Sequence, residues 1–303
     1  MEGKHPYFEG WYFKHQSKDG ETVALIPARH VGRDGRASAS IQVITPAGAD
    51  TIKLSGDAWR AERSPLYVSV GENRFSSQGI QVDLSSRGAC VRGELRYGPL
   101  SPLKSDIMGP FQFVPGLQCR HSVVSMGHGL YGRLTVNGRE IDFTGGMGYL
   151  EGDRGSSFPS AYLWVQCGWK EREEDSGVML SIADIPILGG HFTGCICSVL
   201  FEGREYRLAT YLGVKIESWS SRGAVLRQGR LRLAVEVEPG DCHPLQAPQS
   251  GEMVRTILEN IRTTARIRFW VGGKLLFERL NHGASFEYEG GDGPARQESH
   301  TAP

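Results

Sequence analysis

The turns constrain this chain more than any other feature. Asn137-Gly138 inside "LTVNGREIDF", Glu202-Gly203 inside "VLFEGREYRL", Gly272-Gly273 inside "IRFWVGGKLLF" and Asp19-Gly20 each sit between segments of alternating apolar and polar residues. Such dipeptides adopt positive φ cheaply and close two-residue hairpins whose twist matches the flanking strands. Around Asn137-Gly138, the apolar Leu134, Val136, Ile141 and Phe143 are separated by polar residues, as a sheet with one wetter face requires. With 40 glycines and no long run of 3.6-residue periodicity, the pattern predicts an all-β fold of antiparallel sheets. The best helix candidate, "SGEMVRTILENI" (Ser250 to Ile261), reads equally well as a turn leading into a strand.

A chain of 303 residues suits two domains of about 150 residues, each able to bury a core. Two pairs of passages support a duplicated barrel-like half. "SSRGACVRGELRY" (Ser85 to Tyr97) resembles "SSRGAVLRQGRLRL" (Ser220 to Leu233), and "GWYFKHQSKDGETVALI" resembles "LWVQCGWKEREEDSGVMLSI", each of the latter two giving a Trp-bearing strand, a charged turn and an aliphatic strand. The expected division is 1–148 and 149–289, with the glycine-rich "GGMGYLEGDRG" (Gly145 to Gly155) at the seam and a disordered tail over 290–303.

Composition excludes several partners. Lys+Arg and Asp+Glu are equal at 34 each, which leaves no basic surplus for a nucleic acid backbone. No segment approaches the roughly 18 apolar residues of a membrane span, so the chain is expected to be cytoplasmic and without an integral span, peripheral membrane contact staying open. The 6 cysteines show no CxxC pair and no zinc spacing and read as buried thiols; no metal and no cofactor are expected.

The opening stretch "YFEGWYFK" crowds Tyr7, Phe8, Trp11, Tyr12 and Phe13 around Glu9. Strand parity puts Tyr7, Glu9, Trp11 and Phe13 on one face. If that face lines a barrel interior, burial raises the Glu9 pKa and makes it a usable general acid, whereas on a rim it would pair with Lys4 or Lys14. In "SAYLWVQCGW", Tyr162, Trp164 and Gln166 share a polar-aromatic face backed by Leu163, Val165 and Cys167. Such rings can hold a ring-bearing ligand and stabilise positive charge.

Four passages, "YFEGWYFK", "SDIMGPFQFVPGLQCRHSVVSMGHGLYG", "GGMGYLEGDRGSSFPSAYLWVQC" and "LQAPQSGEM", come in an order and spacing that resemble the tocopherol cyclase family over nearly the whole chain. The resemblance implies two lipocalin-like β-domains in tandem and closure of a chromanol ring on a prenylated quinol. Where the plant and cyanobacterial members read Glu-Lys-Asn-Trp-Gly, this chain reads Glu151-Gly152-Asp153-Arg154-Gly155. It starts close to the first motif, without a plastid transit segment, which points to a bacterial source.

The chemistry needs one acid to protonate the alkene, a dry pocket and electron-rich walls for a tertiary cation, and no cofactor. Glu9 meets the specification with Tyr7, Trp11, Phe13 and Trp164 as walls. Glu151 and Asp153, in a glycine-rich loop beside Phe158, are rival acids. His121 and His128 are candidates to relay a proton or orient the phenol, and their opposite parity lets only one face inward unless a bulge at Gly127 or Gly129 intervenes. Phe158, Tyr162, Trp164 and Gln166 complete the expected substrate contacts. The same hollow barrel can instead serve as a carrier of a hydrophobic small molecule, or can hydrate or isomerise an isoprenoid alkene.

Overall fold

The computed structural model describes residues 6–172, 174–187 and 190–290. Among them every regular element beyond short 3-10 turns is a strand, in two antiparallel sheets. The first sheet takes β1 (Tyr7–Gln16), β2 (Thr22–Val31), β3 (Ala37–Thr45), β4 (Gly48–Ser55), β5 (Trp59–Arg63) and β6 (Leu66–Val70). It continues with β7 (Asn73–Ser76), β8 (Gly79–Ser85), β9 (Cys90–Tyr97), β10 (Cys119–Val136), β11 (Arg139–Asp142) and β12 (Met147–Gly155). The second takes β13 (Tyr162–Glu171), β14 (Glu174–Ile187), β15 (Gly190–Phe201), β16 (Arg204–Ala209) and β17 (Lys215–Ser220). It ends with β18 (Gly223–Gln228), β19 (Leu231–Val237), β20 (His243–Gln249), β21 (Glu252–Val271) and β22 (Lys274–Glu289).

The two sheets are walked in the same way. The first runs β4-β3-β2-β1-β12-β10-β9-β8-β7-β6-β5 and the second β16-β15-β14-β13-β22-β21-β19-β18-β17. The Trp-bearing pairs β1–β2 and β13–β14 therefore hold equivalent places. The Ser-Arg-Gly-Ala passages do not: one spans the β8–β9 turn and the other the β17–β18 turn, a hairpin further from the long strand. The expected seam also moves. β12 pairs with β1 and β10, so the division between 148 and 149 falls inside a strand of the first sheet, and the chain crosses to the second over 156–161. Of the tail expected over 290–303, all but Gly290 lies outside the described residues.

The hairpin signals act as their chemistry requires. Asn137 and Gly138 have φ of 50° and 81°, Glu202 and Gly203 47° and 67°, and Gly272 and Gly273 61° and 81°. Ser250 and Gly251 do the same at 52° and 75°, so the helix candidate is the β20–β21 turn and the start of β21. That turn docks on the crossing segment: Gly251 N–H donates to Ser156 O at 2.6 Å, Ser250 N–H to Ser157 Oγ at 2.7 Å, and Phe158 N–H to Pro248 O at 3.0 Å. Two passages far apart in the sequence thus form one structural unit.

Each sheet coils around its own packed interior. Phe13, Leu25, Phe75, Leu95, Leu134 and Phe143 fill the first, and Leu163, Val165, Leu180, Leu226, Ile267 and Phe269 the second, all without solvent exposure. A third apolar cluster, with Tyr12, Tyr149, Tyr162, Trp164, Met179 and Ile257, lies where the sheets meet. The strands at this junction are covered on both sides, so β1 and β13 are buried almost end to end. The ligand-sized space is accordingly between the two barrels, where the sequence pattern predicts it inside one of them.

Candidate active site

Register brings the site together. β1 and β12 pair Tyr12 with Glu151 and Gly10 with Asp153, while β10 and β12 pair His121 with Asp153. Directly opposed residues share a face. Tyr12, His121, Glu151 and Asp153 therefore project together from the first sheet, and Gly10, having no side chain, leaves the space before Asp153 open. From the second sheet, Trp164 on β13 opposes Glu287 on β22. Both line the same cavity of about 410 Å³, as do Tyr12, Phe158 and Tyr162, a size that suits a small organic ligand.

The remaining walls are mainly apolar. Met108, Phe111, Val114 and Leu117 come from the segment between β9 and β10, and Leu245 and Met253 from the β20–β21 hairpin. The β9–β10 segment is strapped to the second sheet by Arg207, whose guanidinium donates to Ser105 O at 3.0 Å and Asp106 O at 2.9 Å, and by Tyr211 OH, which donates to Ile107 O at 3.0 Å.

At one side of the cavity an imidazole lies between two carboxyl groups. His121 Nδ1 is 3.0 Å from Asp153 Oδ1, and its Nε2 is 3.2 Å from Glu151 Oε2. The same Glu151 oxygen accepts from Tyr149 OH in a short bond and from Trp164 Nε1 at 3.3 Å, and Cys119 Sγ donates to Asp153 Oδ1 at 3.4 Å. Burial opposes a charge on His121, but the Coulombic pull of Glu151 and then Asp153 exceeds it and holds the imidazole well above its ordinary value. The cluster is an imidazolium between acids. Cys119, pushed up by burial and by Asp153, stays a thiol and offers no nucleophile.

Glu287 is the complementary group. Tyr162 OH donates to its Oε2 at 2.7 Å. Burial, followed by the Coulombic effect of Glu259, raises this carboxyl well above its ordinary value against the pull of the Tyr162 hydrogen bond. Its surroundings therefore favour the protonated carboxyl, on the wall of a mainly apolar cavity. Behind it, Glu259 accepts from Tyr12 OH at 2.5 Å and is raised by burial to about 7. Lys14, lowered by burial to about 8, donates to Gln166 Oε1 at 3.0 Å and Gly283 O at 2.7 Å.

Of the residues proposed from sequence, the structure brings His121, Glu151, Asp153, Phe158, Tyr162 and Trp164 to the cavity. It turns the others away. Tyr7, Glu9, Trp11 and Phe13 share a face as parity requires, but it is the opposite face: Trp11 and Phe13 pack in the first barrel's core, and Glu9 is buried at 4% exposure against Arg63. Arg63 holds both carboxylate oxygens, Nη2 at 2.6 Å and Nε at 3.1 Å, and Tyr7 OH donates to Oε2 at 2.9 Å. Lys14 is turned away from Glu9, toward Gln166 and Gly283, and Lys4 lies outside the described residues. Gln166 is bound to Lys14 behind the cavity wall. His128 is buried against Tyr97, with ring centroids 4.3 Å apart, and burial lowers it to about 3, so it is a neutral packing residue. Register shifts between Val123 and His128 supply the bulge, without bringing His128 to the cavity. Glu9→Gln is therefore expected to leave ligand binding and turnover unchanged while lowering the thermal midpoint, which a melting curve beside a ligand titration measures.

Sequence reasoning missed Glu287, Tyr12, Phe8 and His30, all of which line the cavity. Tyr12 and Phe8 occupy the even positions of the opening stretch, so their signal was present in the same parity. Glu287, in "SFEYE", alternates with Glu289 at the end of β22 and is distinguished only by its neighbours in space.

His121, Glu151 and Asp153 present ligand atoms within 4.8 Å of one another and so can hold a divalent cation. One oxygen of each carboxyl already accepts hydrogen bonds, Glu151 Oε2 from Tyr149 and Trp164 and Asp153 Oδ1 from Cys119. No helix among the described residues is long and apolar enough to cross a membrane.

No family model and no curated protein sequence matches the chain. Solved structures do. CghA is similar with a TM-score of 0.59 and 11% identity over 95% of this chain and 90% of that one. Kievitone hydratase from Nectria haematococca is similar at 0.55 and 11%, over 94% and 89%. A Nitrosomonas europaea protein described as a candidate AttH is similar at 0.53 and 9%, over 95% and 94%. At these identities the likeness establishes the fold, a two-sheet β architecture shared along almost the full length.

Proposed function

We propose that the protein is a cofactor-independent enzyme that adds an oxygen nucleophile across the alkene of a hydrophobic, isoprenoid-bearing substrate, with closure of a chromanol ring on a prenylated quinol as its specific form. The observation that carries the reading is the placement, around one mainly apolar cavity, of Glu287, whose carboxyl is pushed well above its ordinary value by burial, opposite His121 held between Glu151 and Asp153.

In this reading Glu287 gives its proton to the less substituted alkene carbon, and the π electrons form the new C–H bond. The tertiary cation is stabilised by the carboxylates of Glu151 and Asp153 and by the faces of Trp164 and Tyr162. The phenol oxygen then bonds to the cation, and its proton passes to the Glu151–His121–Asp153 cluster and returns to Glu287. Atoms and electrons balance without an oxidant. With water as nucleophile the same groups hydrate the alkene, and the name of kievitone hydratase, a protein of the same fold, supports that second form.

Incubation with a prenylated hydroquinone in deuterated water tests the proposal. The expected product carries one non-exchangeable deuterium on the carbon beside the new C–O bond, and its yield is unaffected by a chelator. Ligand that binds but returns unlabelled would overturn it in favour of a carrier. Loss of turnover on chelation, restored by a divalent cation, would assign His121, Glu151 and Asp153 to a metal.

A further inference from the structure

Four carboxyl groups, Glu151, Asp153, Glu259 and Glu287, meet two basic side chains, Lys14 and His121, between the sheets. Such a buried group cannot carry four negative charges against two positive ones at acceptable cost. Glu151 and Asp153 flank the His121 imidazolium, which leaves Glu259 and Glu287 to share the Lys14 charge. These two are directly opposed across β21 and β22, so their side chains lie side by side on one face. Each accepts a tyrosine hydroxyl from a different strand, Tyr12 on β1 for Glu259 and Tyr162 on β13 for Glu287. Glu259 Oε2 is buried and has no hydrogen-bond partner among the described residues.

We propose that Glu259 is a positioning residue for the cavity acid: as the cross-strand neighbour of Glu287, it keeps that carboxyl in its acid form at neutral pH by like-charge repulsion. The inference rests on the reading of Glu287 as proton donor. Glu287 meets the ligand, and Glu259, walled off behind Tyr12, does not. The other groups acting on the pair are identified by their places. Glu151 and Asp153 on β12 act on Glu287, while Lys14 on β1 and Glu151 act on Glu259. Further along, Arg255 on β21 is paired with Glu289 on β22 at 3.1 Å. Tyr162 and Tyr12 donate hydrogen bonds and, themselves raised well above their ordinary value by burial, stay neutral.

The test is an infrared titration of protonated carboxyl groups in the whole protein, comparing the parent with Glu287→Gln, Glu259→Gln and Glu259→Asp. Glu287→Gln should remove a protonated-carboxyl band that survives above neutral pH in the parent. Glu259→Gln, close to isosteric and still able to accept from Tyr12, should make that band disappear at a pH lower by about one unit or more, the size of effect expected from removing a neighbouring like charge. Glu259→Asp, which keeps the charge, should restore the parent behaviour. Where turnover is measurable, the alkaline limb of the rate profile should move with the band. A Glu287 band that titrates at the same pH in the parent and in Glu259→Gln overturns the inference. Failure of every prenylated quinol to react while the band shifts as expected rejects the proposed activity and leaves the carboxyl pair standing.

Discussion

Glu287→Gln is expected to retain the ligand and to lose turnover by about 10²- to 10⁴-fold, the usual worth of a positioned general acid. The amide keeps the shape of the side chain and can still accept the hydrogen bond from Tyr162, so the cavity walls stay in place. What it lacks is a transferable proton. Single-turnover kinetics with a prenylated hydroquinone, beside a dissociation constant for a saturated analogue that cannot be protonated, separate the two effects. Equal losses in binding and rate would make Glu287 a wall of the pocket and move the acid to the His121 cluster.

His121→Leu is expected to be the most destabilising change in the site, by about 3–5 kcal/mol, because it removes the charge that lies between two carboxylates in a buried setting. The pH dependence has a definite sign. The folded-state pKa of His121 is raised above its ordinary 6.5 by Glu151 and Asp153 against the cost of burial, so protonation favours the folded form. The stability that His121 contributes is complete below about pH 6.5 and is lost as pH rises through the elevated folded value. Urea denaturation of the parent and the variant between pH 5.5 and 9, roughly the span over which an imidazole titrates, should show the widest gap at the acid end and a narrowing toward the alkaline end. A gap that widens with pH would mean that the imidazole is neutral in the folded protein, and the anionic cluster assigned to the cation would have to be redrawn.

Both results depend on a placement that alternation alone left undecided. Period-two parity correctly separates Tyr7, Glu9, Trp11 and Phe13 from Phe8, Gly10 and Tyr12, but it does not say which set meets the ligand, because each face of β1 is buried against a different core. The concentration of rings around Glu9 is real burial. It serves the interior of the first barrel, where Arg63 from β5 takes the carboxylate, and that strand begins dozens of residues downstream with nothing local to announce the pairing. On β13 the same reasoning succeeds, since Tyr162 and Trp164 are the polar-aromatic face and the aliphatic face goes to the barrel core.

The sequence by itself determined the all-β class, the hairpin turns and the likeness of β1–β2 to β13–β14, since an Asn-Gly or Gly-Gly turn and a period of two act over a few residues and need no distant partner. It also exposed Glu151, Asp153 and His121, whose types and spacing carry chemistry wherever they fold. Tertiary structure alone decided that the cavity lies between the barrels, that Glu287 and Glu259 stand next to each other, and that Lys14 and His121 are the counter-charges. The physical reason is that a carboxyl group's protonation depends on desolvation and on charges within a few ångströms. Those neighbours come from β1, β12, β13, β21 and β22, strands whose order along the chain gives no measure of their distance in space.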